Sequence, residues 1–155
     1  MKTKILMVCL GNICRSPLAE GILTAMVDNS KVTVDSAGTG HWHVGNQPDR
    51  RSMAVSKKHG IDISKQQARQ FSENDFSSYD YIYAMDSSNM DNVLSLAKTK
   101  ADREKVILIL DHIFPNENVD VPDPYYGGKF GFEEVYKMLD QACLQIALKL
   151  KNREL

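Results

Sequence analysis

Apolar residues recur along this chain in two different periods. Ile5-Leu6-Met7-Val8 is an unbroken run of strand length and too short for a helix, so residues 4–9 are expected to form a first, buried strand. Leu18, Ile22 and Met26, with Ala25, then step by threes and fours, the spacing of a helix with one apolar face, and Ser16-Pro17 supplies a cap and a first-turn proline. A second strand is expected over 31–36 and a helix over 49–59, stopped by Gly60. Two further strands, 79–85 and 105–110, flank a helix over roughly 87–98. Val135, Leu139, Ala142, Ile146 and Leu150 mark a long C-terminal helix with one buried stripe. Strands alternating with helices predict an α/β fold: a single three-layer domain over 1–155, with a central four-stranded parallel sheet and helices on both faces. In such folds ligands bind beyond the carboxyl ends of the strands. The longest irregular stretch, 111–131, is rich in Pro, Gly and Asn, and loops of that length in small domains are often functional.

Composition narrows the partners more than the fold. A chain of 155 residues with 43% hydrophobic residues fits one domain with a proper core. Nineteen basic against twenty acidic residues leave a net charge of −1, so neither nucleic acid nor an acidic membrane is expected as the main partner, and any anion selectivity is local. The basic start Met1-Lys2-Thr3-Lys4 precedes an apolar stretch too short for a secretory leader, and no transmembrane run follows, so a cytoplasmic protein is expected. Cys9, Cys14 and Cys143 make neither a disulfide framework nor a zinc set, which suits a reducing compartment. Cys143 falls on the buried side of the last helix and reads as core. His41, His43, His59 and His112 lack metal-ligand spacing, so no metal or cofactor is expected; His59, before Gly60, reads as a helix-end contact.

The chemistry concentrates where the first strand ends. Cys9-Leu10-Gly11-Asn12-Ile13-Cys14-Arg15 joins that strand to a helix start and so delivers a thiol to a helix N-terminus. An ordinary thiol, with a pKa of about 8.5, is only a few per cent thiolate at neutral pH, whereas unpaired N–H groups and the positive end of a helix favour the anion. The same N–H groups can hold phosphate oxygens, and Arg15 adds a planar fork that matches two of them. Gly11 and Asn12 suit a loop whose amides converge, because they tolerate left-handed backbone angles. A bare Cys-x5-Arg pair would be weak; here strand, Gly-Asn, Arg, Ser and Pro come in the order that a phosphate-gripping nucleophile loop needs.

Val8 to Pro17, followed by Ala19-Glu20, closely resembles the active-site segment of the low-molecular-weight protein tyrosine phosphatases. Asp35-Ser36-Ala37-Gly38-Thr39, Trp42 with Val44-Gly45-Asn46, Ala68-Arg69-Gln70, Ala84-Met85-Asp86 with Ser88-Asn89, and Val121-Pro122-Asp123-Pro124-Tyr125-Tyr126 also resemble family segments, in family order. The resemblance spans essentially the whole chain. It implies hydrolysis of phosphotyrosine through a phosphocysteine, with Cys9 as nucleophile, Arg15 on the phosphate and the loop Leu10 to Ser16 as the cradle. On the residues alone Asp123-Pro124 reads as a turn pair; by resemblance Asp123 is the acid that protonates the leaving oxygen and the base that activates water. Ser16 reads as a helix cap and, with the family, as a donor to Cys9; Asp86 reads as a cap for the next helix and, by resemblance, as the residue that orients Arg15.

The resemblance also makes Trp42 and Tyr125, and secondarily Tyr126, rim residues of a pocket deep enough to favour phosphotyrosine over phosphoserine. Relatives acting on phosphoarginine carry a threonine where this chain has Ile13, which points to the tyrosine-type pocket. Cys14 becomes a candidate redox guard for Cys9. The family often has a histidine where Gln66 falls here, which leaves the support of the loop asparagine open. The expected partners are tyrosine-phosphorylated proteins or aryl phosphates, with inorganic phosphate as product and inhibitor and a monomeric state. An arsenate reductase of this fold would need relay cysteines, yet none lies between Cys14 and Cys143. A phosphocysteine carrier would be harmed by a built-in hydrolytic acid, and a phosphate sensor has no need to keep both Cys9 and Asp123.

Overall fold

A computed structural model describes residues 2–127 and 129–155; Met1, and Gly128 within the expected 111–131 loop, lie outside the described residues. Strands β1 (Thr3–Cys9), β2 (Val32–Gly38), β3 (Tyr81–Ala84) and β4 (Val106–Leu108) form one parallel sheet in the order β2-β1-β3-β4. Helices α1 (Arg15–Met26), α2 (Arg50–Lys58), α3 (Asp75–Ser78), α4 (Ser87–Leu94), α5 (Lys100–Glu104) and α6 (Lys129–Lys151) connect and cover it.

Alternation along β1 creates the layers. Ile5, Met7 and Cys9 face a core shared with Leu18 and Ile22 of α1, Val55 of α2, and Val135, Leu139, Ala142 and Ile146 of α6. Leu6 and Val8 point the other way, into a smaller core with Phe71, Phe76, Ile82, Val93 and Val106. Both faces of the strand are buried, which is why it reads as a continuous apolar run and not as an alternating one. The strand order reverses between β1 and β3, so the loops after these two strands diverge around a crevice, the usual ligand position in such sheets.

Several boundaries depart from the pattern for identifiable reasons. β2 runs on to Gly38, because Ser36, Ala37 and Gly38 pair with Met7, Val8 and Cys9. The apolar run expected as strand 105–110 leaves the sheet after Leu108 and winds into a 3-10 turn, Ile109–His112, whose Ile109 and Leu110 are as buried as strand residues. The helix expected over 87–98 ends at Leu94, and α5 starts separately behind Thr99, whose hydroxyl accepts from the Asp102 amide. α3 and α5 are too short to show a helical period in sequence. The stretch 111–131 is less irregular than expected: Pro124–Tyr126 form a 3-10 turn, and α6 begins at Lys129.

Ser16 is not the cap of α1. The cap position is Cys14, no side chain caps it, and Ser16 lies inside the first turn. His59 ends α2 as its C-terminal cap residue, its amide donating back to Ser56 O at 3.0 Å, while its ring stacks on Tyr136 at 4.1 Å and bonds Glu133 at 2.9 Å, so its side chain also ties α2 to α6. Among the described residues no helix is long and apolar enough to cross a membrane.

Candidate active site

Residues 10–14 leave β1 as a curled loop, several of whose carbonyls are held by neighbouring segments. Thr39 N donates to Cys9 O, Gly40 N to Leu10 O, Asp49 N to Ile13 O and the Ser52 hydroxyl to Cys14 O. The amides of Leu10 to Cys14 donate to no protein acceptor among the described residues, and they are left for an anion. Asn12 takes the left-handed conformation, φ 56°, that closes the curl. Gly11 does not share that conformation; its lack of a side chain matters because a Cβ would meet the His43 ring at 3.1 Å. Gly38 is required for a similar reason, since a Cβ there would lie 2.8 Å from Leu10 O and push β2 off the loop.

Cys9 is buried, 2% exposed, at the base of a cavity of about 290 Å³ that Leu10, Gly11, Ile13, Cys14, Arg15, Trp42, His43, Asp123, Tyr125 and Tyr126 complete. Its sulfur lies 3.0 Å from Ser16 Oγ. Hydrogen bonding gives that hydroxyl a direction. Arg69 N, which can only donate, meets Asn12 Oδ1 at 3.0 Å, so the Asn12 amide NH₂ must face Ser16 Oγ at 2.8 Å and Ser36 Oγ at 2.9 Å. Ser16 therefore accepts from Asn12 and keeps its own proton, for which the sulfur at 3.0 Å is a nearer acceptor than Ala37 O at 3.5 Å. Gln66 is not part of this support: its amide donates to Pro17 O at 3.1 Å, and Asn12 is held by Ser36 and the Arg69 amide instead.

Arg15 is gripped from behind. Its Nη1 donates to Asp86 Oδ2 at 2.6 Å and to Val121 O at 3.0 Å, which uses both protons of that nitrogen. Nε and Nη2 make no hydrogen bond to protein among the described residues, which leaves one edge of the guanidinium for two oxygens. Burial opposes this charge, but Cys9, the bond to Asp86 and the field of Asp123 outweigh it and raise the Arg15 pKa above its ordinary value. Asp86 serves both sequence readings at once, because its other oxygen accepts from Asn89 N and caps α4.

Asp123 likewise fits two descriptions. Oδ1 accepts from Tyr125 N at 3.0 Å, as in a turn, while Oδ2 lies 3.6 Å from Arg15 Nη2. The segment carrying it is tied down, since Val121 N donates to Met85 O and Asp120 takes both the amide and the hydroxyl of Ser87.

The rim is aromatic. Trp42, 65% exposed, stacks on His41, and Tyr125 and Tyr126 meet edge to face at 4.9 Å. Arg51 braces this side, locked to Asp49 by two bonds, donating to Tyr125 O at 3.1 Å and lying over the Tyr125 ring. Sequence reading missed His43 and Arg51 as parts of the site. His43 lacked a motif, and the role of Arg51 depends on Asp49 and Tyr125, which meet only in three dimensions. The cysteines differ in character: all three are free, and burial, with Asp49, Cys9 and Asp123 adding, pushes the Cys14 thiol up to about 12, so it stays protonated at neutral pH.

Comparison with known proteins gives one consistent picture. The family model described as low molecular weight phosphotyrosine protein phosphatase matches residues 4–154. A low molecular weight phosphotyrosine protein phosphatase of Schizosaccharomyces pombe is 47% identical over 141 residues, covering 88% of this chain and 89% of that one. The crystal structure of a protein tyrosine phosphatase from Entamoeba histolytica, with Hepes in its active site, superimposes with a TM-score of 0.91 at 37% identity, covering 99% of this chain and all of that one. Wzb of Vibrio vulnificus, solved with benzylphosphonate, superimposes with a TM-score of 0.86 at 32% identity, covering 96% of this chain and 99% of that one.

Proposed function

Since this chain belongs to the low-molecular-weight phosphotyrosine protein phosphatase family and is therefore a protein-tyrosine phosphatase, a hydrolase, we propose that it works through a phosphocysteine on Cys9. The observation that carries the reading is the convergence on one cavity of a buried thiol, loop amides with no protein acceptor among the described residues, the free edge of Arg15 and the Asp123 carboxyl.

The Leu10 to Cys14 amides and the Nε/Nη2 edge of Arg15 bind the phosphate dianion, and Asp86 keeps that edge turned inward. Cys9 attacks phosphorus in line. The S–P bond forms, the P–O bond to the phenol breaks, and Asp123 gives its proton to the departing oxygen. The Asp123 carboxylate then takes a proton from water as the water oxygen attacks phosphorus. The S–P bond breaks, inorganic phosphate leaves, and the Ser16 hydroxyl donates to the departing thiolate. Positive charge comes from Arg15 and the amides, so the residues present suffice for both steps.

Trp42 and Tyr125, with Tyr126 beside it, form walls for the phenyl ring, and Ile13 gives the cavity an apolar side suited to an aryl group. Cys14 is the partner for an oxidised Cys9: its thiol, which burial keeps protonated and slow, gives its proton to the departing hydroxyl of a Cys9 sulfenic acid as the S–S bond forms and the S–O bond breaks, leaving a disulfide and water. A cytoplasmic monomer inhibited by its product phosphate completes the reading.

The test sets phosphotyrosine, phosphoarginine and phosphoserine peptides side by side. Phosphotyrosine is expected to be turned over fastest, whereas a preference for phosphoarginine would overturn the role given to Ile13. In the same assay Asp123→Ala is expected to slow phosphotyrosine hydrolysis by about 10²- to 10⁴-fold, the usual worth of a positioned acid, with substrate binding retained. With an ester whose leaving group needs no proton, the first step, read as the initial burst of released phenol, should lose much less.

A further inference from the structure

The hydrogen bonds behind Cys9 do not stop at Asn12. Ser36, buried at 8% exposure, accepts from Asn12 Nδ2 and donates to Glu20 Oε1 at 2.8 Å. Glu20, on α1, faces away from the active-site cavity and lines a second one of about 370 Å³ with Thr24, Ile61, Lys65 and Gln66. The Gln66 side chain stays clear of these bonds, since its only hydrogen bond among the described residues goes to Pro17 O. The carboxyl therefore reaches the Ser36 hydroxyl directly.

We propose that Glu20 is a positioning residue for the reaction at Cys9: by accepting from Ser36 it fixes the Ser36 hydroxyl as an acceptor for Asn12, and so backs the orientation that Arg69 N gives the chain Asn12, Ser16, Cys9. The argument is one of donor counting. A hydroxyl has one proton. If Ser36 spends its proton on Glu20, its lone pairs face Asn12; Asn12, with its oxygen taken by the Arg69 amide, spends one proton on Ser36 and one on Ser16; Ser16 then keeps its proton, and the sulfur at 3.0 Å is a nearer acceptor for it than Ala37 O at 3.5 Å. Without an acceptor at position 20 the Ser36 hydroxyl is free to turn, its bond from Asn12 weakens, Arg69 N is left as the main hold on Asn12, and the donor to the sulfur loosens. Burial, opposed by the Ser36 bond and with Asp35 adding and Arg69 subtracting, lifts the Glu20 carboxyl to about 7. Either protonation state retains an oxygen that accepts, so the role persists across neutral pH.

The inference rests on Cys9 being the nucleophile, and its test separates the two ideas. Glu20→Gln keeps an acceptor oxygen, and Glu20→Met keeps the length without one. Loss of one hydrogen bond's worth of order is expected to slow Glu20→Met about fivefold in kcat, with KM within about twofold, while Glu20→Gln stays within about twofold of the parent. The second readout is alkylation of Cys9 by iodoacetate, which reports thiolate without turnover. In Glu20→Met it should be about fivefold slower than in the parent, and in Glu20→Gln within about twofold of it. Ser36→Ala should show the same alkylation defect, and adding Glu20→Met to it should cost nothing further. Should Glu20→Met fail to fold, Ser36→Ala alone decides. Alkylation unchanged in Ser36→Ala, Glu20→Gln falling as far as Glu20→Met, or additive effects would each overturn the inference. A parent protein that hydrolyses no aryl phosphate would instead overturn the reading of Cys9.

Discussion

Cys9→Ser is expected to lower aryl-phosphate turnover on the order of 10⁵-fold, the scale on which loss of a covalent nucleophile is felt, while inorganic phosphate still binds within about threefold of the parent. The two halves of the result have separate causes. Binding is assigned to the loop amides and the Arg15 edge, and the substitution leaves both in place. Chemistry needs a nucleophile that is anionic at working pH, and a hydroxyl offers almost none. Cys14 does not rescue the variant, because its buried thiol, pushed up to about 12, stays protonated at neutral pH. Turnover by stopped assay and phosphate binding by calorimetry check the pair. Hydrolysis near the parent rate would remove Cys9 from the mechanism.

Arg15→Ala should be damaging in two ways that can be read independently. The guanidinium is buried, with its side chain 3% exposed, and faces Asp86 at 2.6 Å and Asp123 at 3.6 Å. Deleting it strands those carboxylates, and removal of one partner from a buried pair typically costs about 3 kcal/mol of stability. The Val121 carbonyl also loses its donor, which loosens the segment that carries Asp123. Turnover should fall on the order of 10³-fold, because the fork that follows the equatorial oxygens into the transition state is gone. Asp86→Asn added to Arg15→Ala is expected to recover part of the melting temperature and none of the activity. Recovery of activity would mean that Arg15 only neutralises Asp86.

Much of this was readable in the chain before any coordinates, for physical reasons that differ by element. β1 and α6 were legible because one is buried on both faces and the other carries a long stripe at helical spacing. α3 and α5 were not, because a helix of one turn has no period to detect. The loop from Cys9 to Arg15 was legible because its chemistry is local. Asp86 and Asp123 were ambiguous because each also makes an ordinary local contact, a helix cap and a turn, and only folding adds the second contact, to Arg15. The cap assigned to Ser16 failed since the hydroxyl is committed to Asn12 and Cys9. Glu20 and Arg51 reach Ser36 and Tyr125 only across the fold, so the sequence gives no sign of these contacts.

The most direct test of the central claim is to catch the intermediate. Asp123→Ala, mixed with an aryl phosphate whose leaving group needs no proton, lacks the base for the second step and should accumulate phosphoenzyme. Rapid quenching followed by mass spectrometry of the digested protein is expected to find one added phosphoryl group on the peptide containing Cys9, and none when Cys9→Ser is combined with it. Turnover with no phosphorylated peptide at any quench time, or a phosphoryl group that survives Cys9→Ser, would contradict attack by Cys9.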